Sequence, residues 1–95
     1  MKASEERIAE ALRELEGWGR EEKWLVKRYR FREYLDGIGF VNRIAELAER
    51  MNHHPMIAID YKMVTVKLTS WSAGGLTELD FNAAAAFDQT FSPSS

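Results

Sequence analysis

Ninety-five residues suit one domain and leave little room for a second apolar core. A 45% apolar and 12% aromatic composition is that of a folded globular chain. Thirteen basic against fifteen acidic side chains give a formal charge of −2 and there is no cysteine, which excludes a basic nucleic-acid footprint, disulfides, thiolate metal sites and cysteine nucleophiles. The opening stretch MKASEERIAEALRELEG is charged and amphipathic, without the pattern of a secretory signal. No run approaches the roughly 18 apolar residues of a membrane span. The expectation is a small, soluble, cytoplasmic domain.

Residues 4–16 place Ile8, Ala11, Leu12 and Leu15 at helical spacing, with Gly17 as the stop. EKWLVKRYRF, 22–31, is rich in aromatic and β-branched residues and reads as a half-buried strand. Leu25, Lys27, Tyr29 and Phe31 share one face, and Arg28 and Arg30 the other. Gly17-Trp18 before it reads as part of a short partner strand. A long helix follows over 32–52, with an apolar band of Tyr34, Leu35, Ile38, Val41, Ile44, Ala45, Leu47, Ala48 and Met51. That band is broader than one core-facing stripe needs. It fits either a second copy of the chain or a helix sunk deep in its own core. Gly37 and Gly39 weaken its first turns by about 1 kcal/mol each relative to alanine.

Pro55 ends the helix, because the residue before a proline is pushed out of the α region. MIAIDY and KMVTVKLTSW read as two strands joined by a glycine-free turn near Tyr61–Lys62. On the second, Val64, Val66 and Leu68 face one way, and Thr65, Lys67, Thr69 and Trp71 the other. SAGG is a loop, 76–91 a final helix, and 92–95 a frayed tail. The fold class is α+β: one domain over 1–91, with helices on one face of an antiparallel sheet.

Both histidines lie in ERMNHHPMIAID, 49–60. His53 falls at or just past the helix C-terminus, where free carbonyls favour imidazolium by about 0.3–1 kcal/mol. Glu49, four residues earlier, faces His53 if the helix persists that far. Both features suit a general acid. The plain alternative is a helix-ending His53 beside an exposed His54. A metal site would need Glu49, Asp60 or Asp80 to complete it, and adjacent histidines lack the i, i+4 spacing that would organise one. Trp71 sits on the polar side of its strand, either stacking on a flat ligand or lying under the final helix. Thr77-Glu-Leu-Asp80 matches a capping box, which accounts for Asp80 without a ligand. KRYRFRE, 27–33, interleaves basic and aromatic residues, but in this acidic chain it reads as a solvated strand face.

Glu49-Arg50-Met51-Asn52-His53-His54-Pro55, followed by Tyr61, Trp71 and Asp80, resembles the pterin-4a-carbinolamine dehydratase family. The family pattern is a polar residue, three positions, His-His-Pro, an aromatic, His or Trp, then Asp. Gly17-Trp18, Tyr29-Arg-Phe31, Gly39-Phe40 and Ala48-Glu49 agree upstream, so the resemblance covers about 4–91. It implies an α-β-β-α-β-β-α domain with a four-stranded antiparallel sheet that assembles as a homodimer or homotetramer. It implies dehydration of a 4a-hydroxytetrahydropterin to quinonoid dihydropterin, recycling the pterin of aromatic amino-acid hydroxylases. No metal or organic cofactor is implied, no membrane, and no direct contact with nucleic acid. By resemblance His53 transfers the proton, held by Glu49, and His54 binds and orients the pterin. Pro55, Tyr61, Trp71 and Asp80 shape the pocket. Trp71 stands where many members carry a third histidine; indole donates one hydrogen bond and exchanges no proton near neutrality. The alternative function is a regulatory or dimerisation protein of the same fold with weak catalysis.

Overall fold

The computed structural model describes residues 1–93. The element order is α1 (Glu5–Glu14), β1 (Gly19–Glu21), β2 (Trp24–Arg30), α2 (Tyr34–Met51), β3 (Met56–Asp60), β4 (Met63–Leu68), a short 3₁₀ turn (Trp71–Ala73) and α3 (Glu78–Gln89). The four strands form one antiparallel sheet in the order β1-β2-β4-β3. This is the expected α-β-β-α-β-β-α arrangement. Ser94 and Ser95 of the expected frayed tail lie outside the described residues.

One buried cluster joins the three helices to alternate strand residues. Ile8 and Ala11 come from α1, Phe40, Ile44 and Ala48 from α2, and Phe81, Ala84 and Phe87 from α3. They meet Leu25, Tyr29, Val64, Val66 and Leu68 from the sheet. The helices therefore cover one face, as period-two alternation in β2 and β4 requires. α1 begins at Ser4, whose hydroxyl accepts the Arg7 N–H at 3.1 Å.

The broad α2 band divides on folding. Ile44 and Ala48 point inward, Val41, Leu47 and Met51 pack at the margin, and Tyr34, Leu35 and Ala45 stay exposed. Phe40, absent from the expected band, is fully buried at its centre. Gly37 is the reason: a Cβ there would sit 3.3 Å from Phe31 and 3.4 Å from Val64. The helix thus touches the sheet at its weakest turn, and Phe40 is carried in with it.

Each hairpin has a two-residue loop, since Glu21 pairs with Trp24 and Asp60 with Met63. Neither loop contains glycine, yet Glu22 (φ 57°) and Tyr61 (φ 53°) adopt the left-handed conformation. An L-residue there costs about 1–2 kcal/mol. The partner strand expected around Gly17-Trp18 begins one residue later, at Gly19, while Trp18 is buried with its indole N–H donated to Asp88 at 3.0 Å. No helix among the described residues is long and apolar enough to cross a membrane.

Candidate active site

The site is built where α2 ends and α3 begins. α2 closes in a Schellman motif: Asn52, left-handed at φ 51°, donates its N–H to the Glu49 carbonyl at 3.2 Å, and His53 N–H reaches Ala48 at 3.1 Å. Asparagine tolerates this conformation better than most residues. The reversal ends helical spacing one residue before His53, so the expected Glu49–His53 pair does not form. Glu49 instead accepts from His54, Nε2 to Oε2 at 2.5 Å. Pro55 then directs the chain into β3, with no further helical turn to bring His53 back.

His53 finds its carboxylate across the fold. Its Nε2 lies 2.6 Å from Asp80 Oδ1, 27 residues away in sequence. Asp80 is fully buried, and its Oδ2 accepts the Thr77 N–H and the Ser70 hydroxyl, each at 2.8 Å. The Thr77 contact is the capping box of α3. Capping therefore accounts for one oxygen of Asp80 and leaves the other for His53. The Ser70 and Thr77 hydroxyls lie 2.8 Å apart, so the shell around the carboxylate is closed. Among the described residues no buried side-chain polar atom lacks a partner.

This pairing fixes the imidazole chemically. A carboxylate only accepts, so the nitrogen facing it carries hydrogen and Nδ1 is left for exchange. The same reasoning applies to His54 and Glu49. The two pairs differ in exposure: the His53 and Asp80 side chains are 11% and 0% exposed, those of His54 and Glu49 56% and 76%. A buried, doubly anchored carboxylate with one imidazole on its free oxygen is an arrangement that orients a general acid or base.

The remaining expected residues are dispersed. Trp71 is not on β4, which ends at Leu68; the chain closes a loop through the Ser70–Gly75 bridge and sets Trp71 in the 3₁₀ turn. Its indole is 77% exposed and meets Trp24 edge to face, so it does not lie under α3. It remains next in sequence to Ser70, and hence beside the Asp80 network. Tyr61 sits at the β3–β4 hairpin tip, stacked on Tyr34 at 6.4 Å. The five residues of β3 separate it from the histidines, a span of about 17 Å at strand rise. Within one chain Tyr61 is therefore not part of their pocket. Asp60 lies at that same far end. Among the described residues no group of three or more His, Asp or Glu side chains is placed to hold a metal ion. Ser70 and Trp24 were missed from sequence. Ser70 is hidden because a loop closure, not a periodic pattern, turns its hydroxyl onto Thr77 and Asp80, and Trp24 because it reads as an ordinary strand aromatic.

Residues 1–90 match the family model described as Pterin 4 alpha carbinolamine dehydratase. The chain belongs to this family. A relative from Thermomicrobium roseum, which carries pterin-4-alpha-carbinolamine dehydratase as a provisional name, is 47% identical over 77 residues, 81% of this chain and 83% of the relative. The crystal structure of a transcriptional coactivator/pterin dehydratase from Brucella melitensis superposes with TM-score 0.90 at 31% identity, covering 94% of this chain and 97% of that one. A pterin dehydratase-like protein identified as a RuBisCO assembly factor in the alpha-carboxysome is more distant. Its TM-score is 0.62 at 26% identity, over 76% of this chain and 83% of that one. For a pterin dehydratase family chain, the two histidine–carboxylate pairs lie within the stretch that the family match covers.

Proposed function

We propose that this chain dehydrates a 4a-hydroxytetrahydropterin to the quinonoid dihydropterin by general acid–base catalysis. The His53–Asp80 pair, locked by Ser70 and Thr77 in a chain of this family, carries the reading. In the reaction the C4a–O bond breaks, the departing hydroxyl takes a proton and leaves as water, and a ring N–H gives up a proton as the new C=N bond forms. His53 supplies the first proton from Nδ1. The substrate nitrogen or water returns one to it, because Trp71 holds no exchangeable proton near neutrality. Assistance of this kind is worth about 10²–10⁴-fold in rate. His54, held by Glu49, grips the pterin at the more exposed rim, and Pro55 fixes where that rim turns into β3.

The physiological role we propose is recycling the pterin of aromatic amino-acid hydroxylases in the cytoplasm, without metal or organic cofactor. The partner we propose for the exposed apolar residues Leu35, Met56 and Ile59, which lie on α2 and the edge strand β3, is a second copy of the chain. Sedimentation of a monomer at micromolar concentration would reject that assembly. The test of the activity is carbinolamine decay with pure protein. Wild type should outpace the spontaneous reaction, and His53→Ala should lose at least about a hundredfold. Decay at the spontaneous rate with wild type would refute it. A regulatory or dimerisation role of the same fold has no need of two histidine–carboxylate pairs.

A further inference from the structure

A cavity of about 620 Å³ opens between the β1–β2 hairpin and the loop after β4. Arg20, Lys23 and Trp24 form one wall, and Ser70, Trp71 and Gly74 the other. Neither histidine lines it, yet it borders their site through Ser70, whose hydroxyl holds one oxygen of Asp80 while His53 holds the other.

Trp24 is an aromatic residue of this cavity that the family pattern does not include. Its ring centre lies 5.2 Å from that of Trp71 at an interplanar angle of 85°. Edge-to-face contact of this kind sets the positive rim of one ring against the negative face of the other. Among the described residues Trp24 is the one aromatic partner of Trp71, an indole otherwise open to solvent. Trp24 is steadied in turn by Lys67, whose ammonium lies 5.7 Å from its ring centre. The loop beneath Trp71 is closed on itself, with Gly74 N–H shared between the Ser70 and Trp71 carbonyls, both at 3.1 Å. Lys23, which also lines the cavity, has no carboxylate partner among the described residues.

We propose that Trp24 and Trp71 form a ring-binding platform on which the flat pyrimidine half of a pterin stacks, with Trp24 the positioning residue that holds the Trp71 indole. The cavity supplies the volume, the exposed Trp71 ring the stacking surface, and Lys23 a donor for a carbonyl oxygen of the heterocycle. An indole at the third-histidine position then has a task of its own: it binds the ring whose proton chemistry His53 performs. This rests on the dehydratase reading and adds to it where the substrate lies.

The test is calorimetric titration of the full chain with 7,8-dihydrobiopterin, together with carbinolamine KM and kcat across pH. Trp24→Leu, which keeps apolar bulk but removes the ring, should weaken dihydrobiopterin binding and raise KM about three- to tenfold. The pH profile of kcat should not move, and Trp24→Phe should restore most of the loss. Trp71→Ala, at an exposed position that folding does not depend on, should weaken binding at least as much. Unchanged affinity and KM in folded Trp24→Leu would overturn the platform. If wild type turns over and that result is found, the platform falls and the dehydratase reading stands. If dihydrobiopterin binding depends on Trp24 but there is no turnover, the platform stands and the dehydratase reading falls.

Discussion

Asp80→Asn separates the two duties of the buried carboxylate. The amide has the same shape but one acceptor oxygen and one donor group, where the carboxylate accepts from Thr77 N–H, Ser70 and His53. Thr77 N–H always donates, so the amide oxygen must face it to keep the cap of α3. The NH₂ then faces His53 Nε2, which can no longer carry hydrogen without opposing two donors. The imidazolium that delivers a proton loses its acceptor, and the neutral ring is held in the wrong tautomer. At least about a hundredfold should be lost from kcat, toward the lower end of what acid–base assistance contributes.

Stability falls by less. A hydrogen bond to a charged group is worth about 1.5–3 kcal/mol, and a carboxylate at a helix N-terminus adds about 0.3–1 kcal/mol. Because the amide keeps part of this, a net loss of about 2 kcal/mol is expected, or roughly 8–16 °C in melting temperature for a domain of this size. Asp80→Ala should be worse, since it leaves Thr77 N–H and the partly buried imidazole unpartnered at about 1–3 kcal/mol each. Carbinolamine decay over pH 6–9 and a thermal melt on the same samples supply the measurements. A kcat within a factor of about three of wild type, under roughly 0.7 kcal/mol in barrier, would refute the claim that Asp80 sets the state of His53.

Glu22→Gly should stabilise the chain, because glycine removes the strain of the left-handed hairpin residue (φ 57°). Relief of about 1–2 kcal/mol, less the entropy glycine adds to the unfolded chain, leaves a gain of about 0.5–1 kcal/mol, seen as a rise of a few degrees in melting temperature. A lower melting temperature would contradict it. Tyr29 gives a pH-dependent effect: burial first, then its hydrogen bond to Asp88 at 2.6 Å, hold the phenol well above its ordinary value. A raised folded-state value means stability that is full below the unfolded pKa of about 10 and lost as pH rises past it. Urea midpoints of wild type should therefore drop more steeply between pH 9 and 11 than those of Tyr29→Phe, and parallel slopes would count against the buried phenol.

The order of elements was legible because it rests on local periodicity. Alternation in 24–30 and 63–68 and the 3.6-residue rhythm of 34–51 each report which side chains turn inward, whatever lies opposite. What escaped depends on single backbone events or on distant partners. Phe40 was passed over because Gly37 reads as a helix weakness, although its missing side chain is what lets α2 approach Phe31 and Val64. The Glu49–His53 pairing needs two more residues of helix beyond Met51, and one left-handed Asn52 rotates His53 away and gives Glu49 to His54. Trp71 left its strand because the bridge from Ser70 to Gly75 closes a loop there, a contact that strand alternation does not encode. Asp80 was legible as a helix cap and as a member of the family pattern. Its bond to His53 spans 27 residues, and no local pattern carries that information.

These misreadings bear on how labour is divided between the histidines. Had Glu49 held His53, both histidines would have shared one exposed rim, where an ion pair is screened by salt and worth under about 1 kcal/mol. Instead the solvent-facing carboxylate serves the solvent-facing histidine. That exposed contact gives way readily, as the ligand-binding role proposed for His54 requires. His53 leans on a carboxylate that the first turn of α3 already holds from the opposite side. Moving Asp80 would uncap the helix, so the fold itself resists any reorganisation of the partner as a proton leaves the ring. Preorganisation of that kind is worth most where water is excluded, and of the two imidazoles His53 is the less exposed. The proposed proton carrier and the proposed binder are thus told apart by which helix each carboxylate belongs to: Glu49 from the exposed end of α2, Asp80 from the buried start of α3.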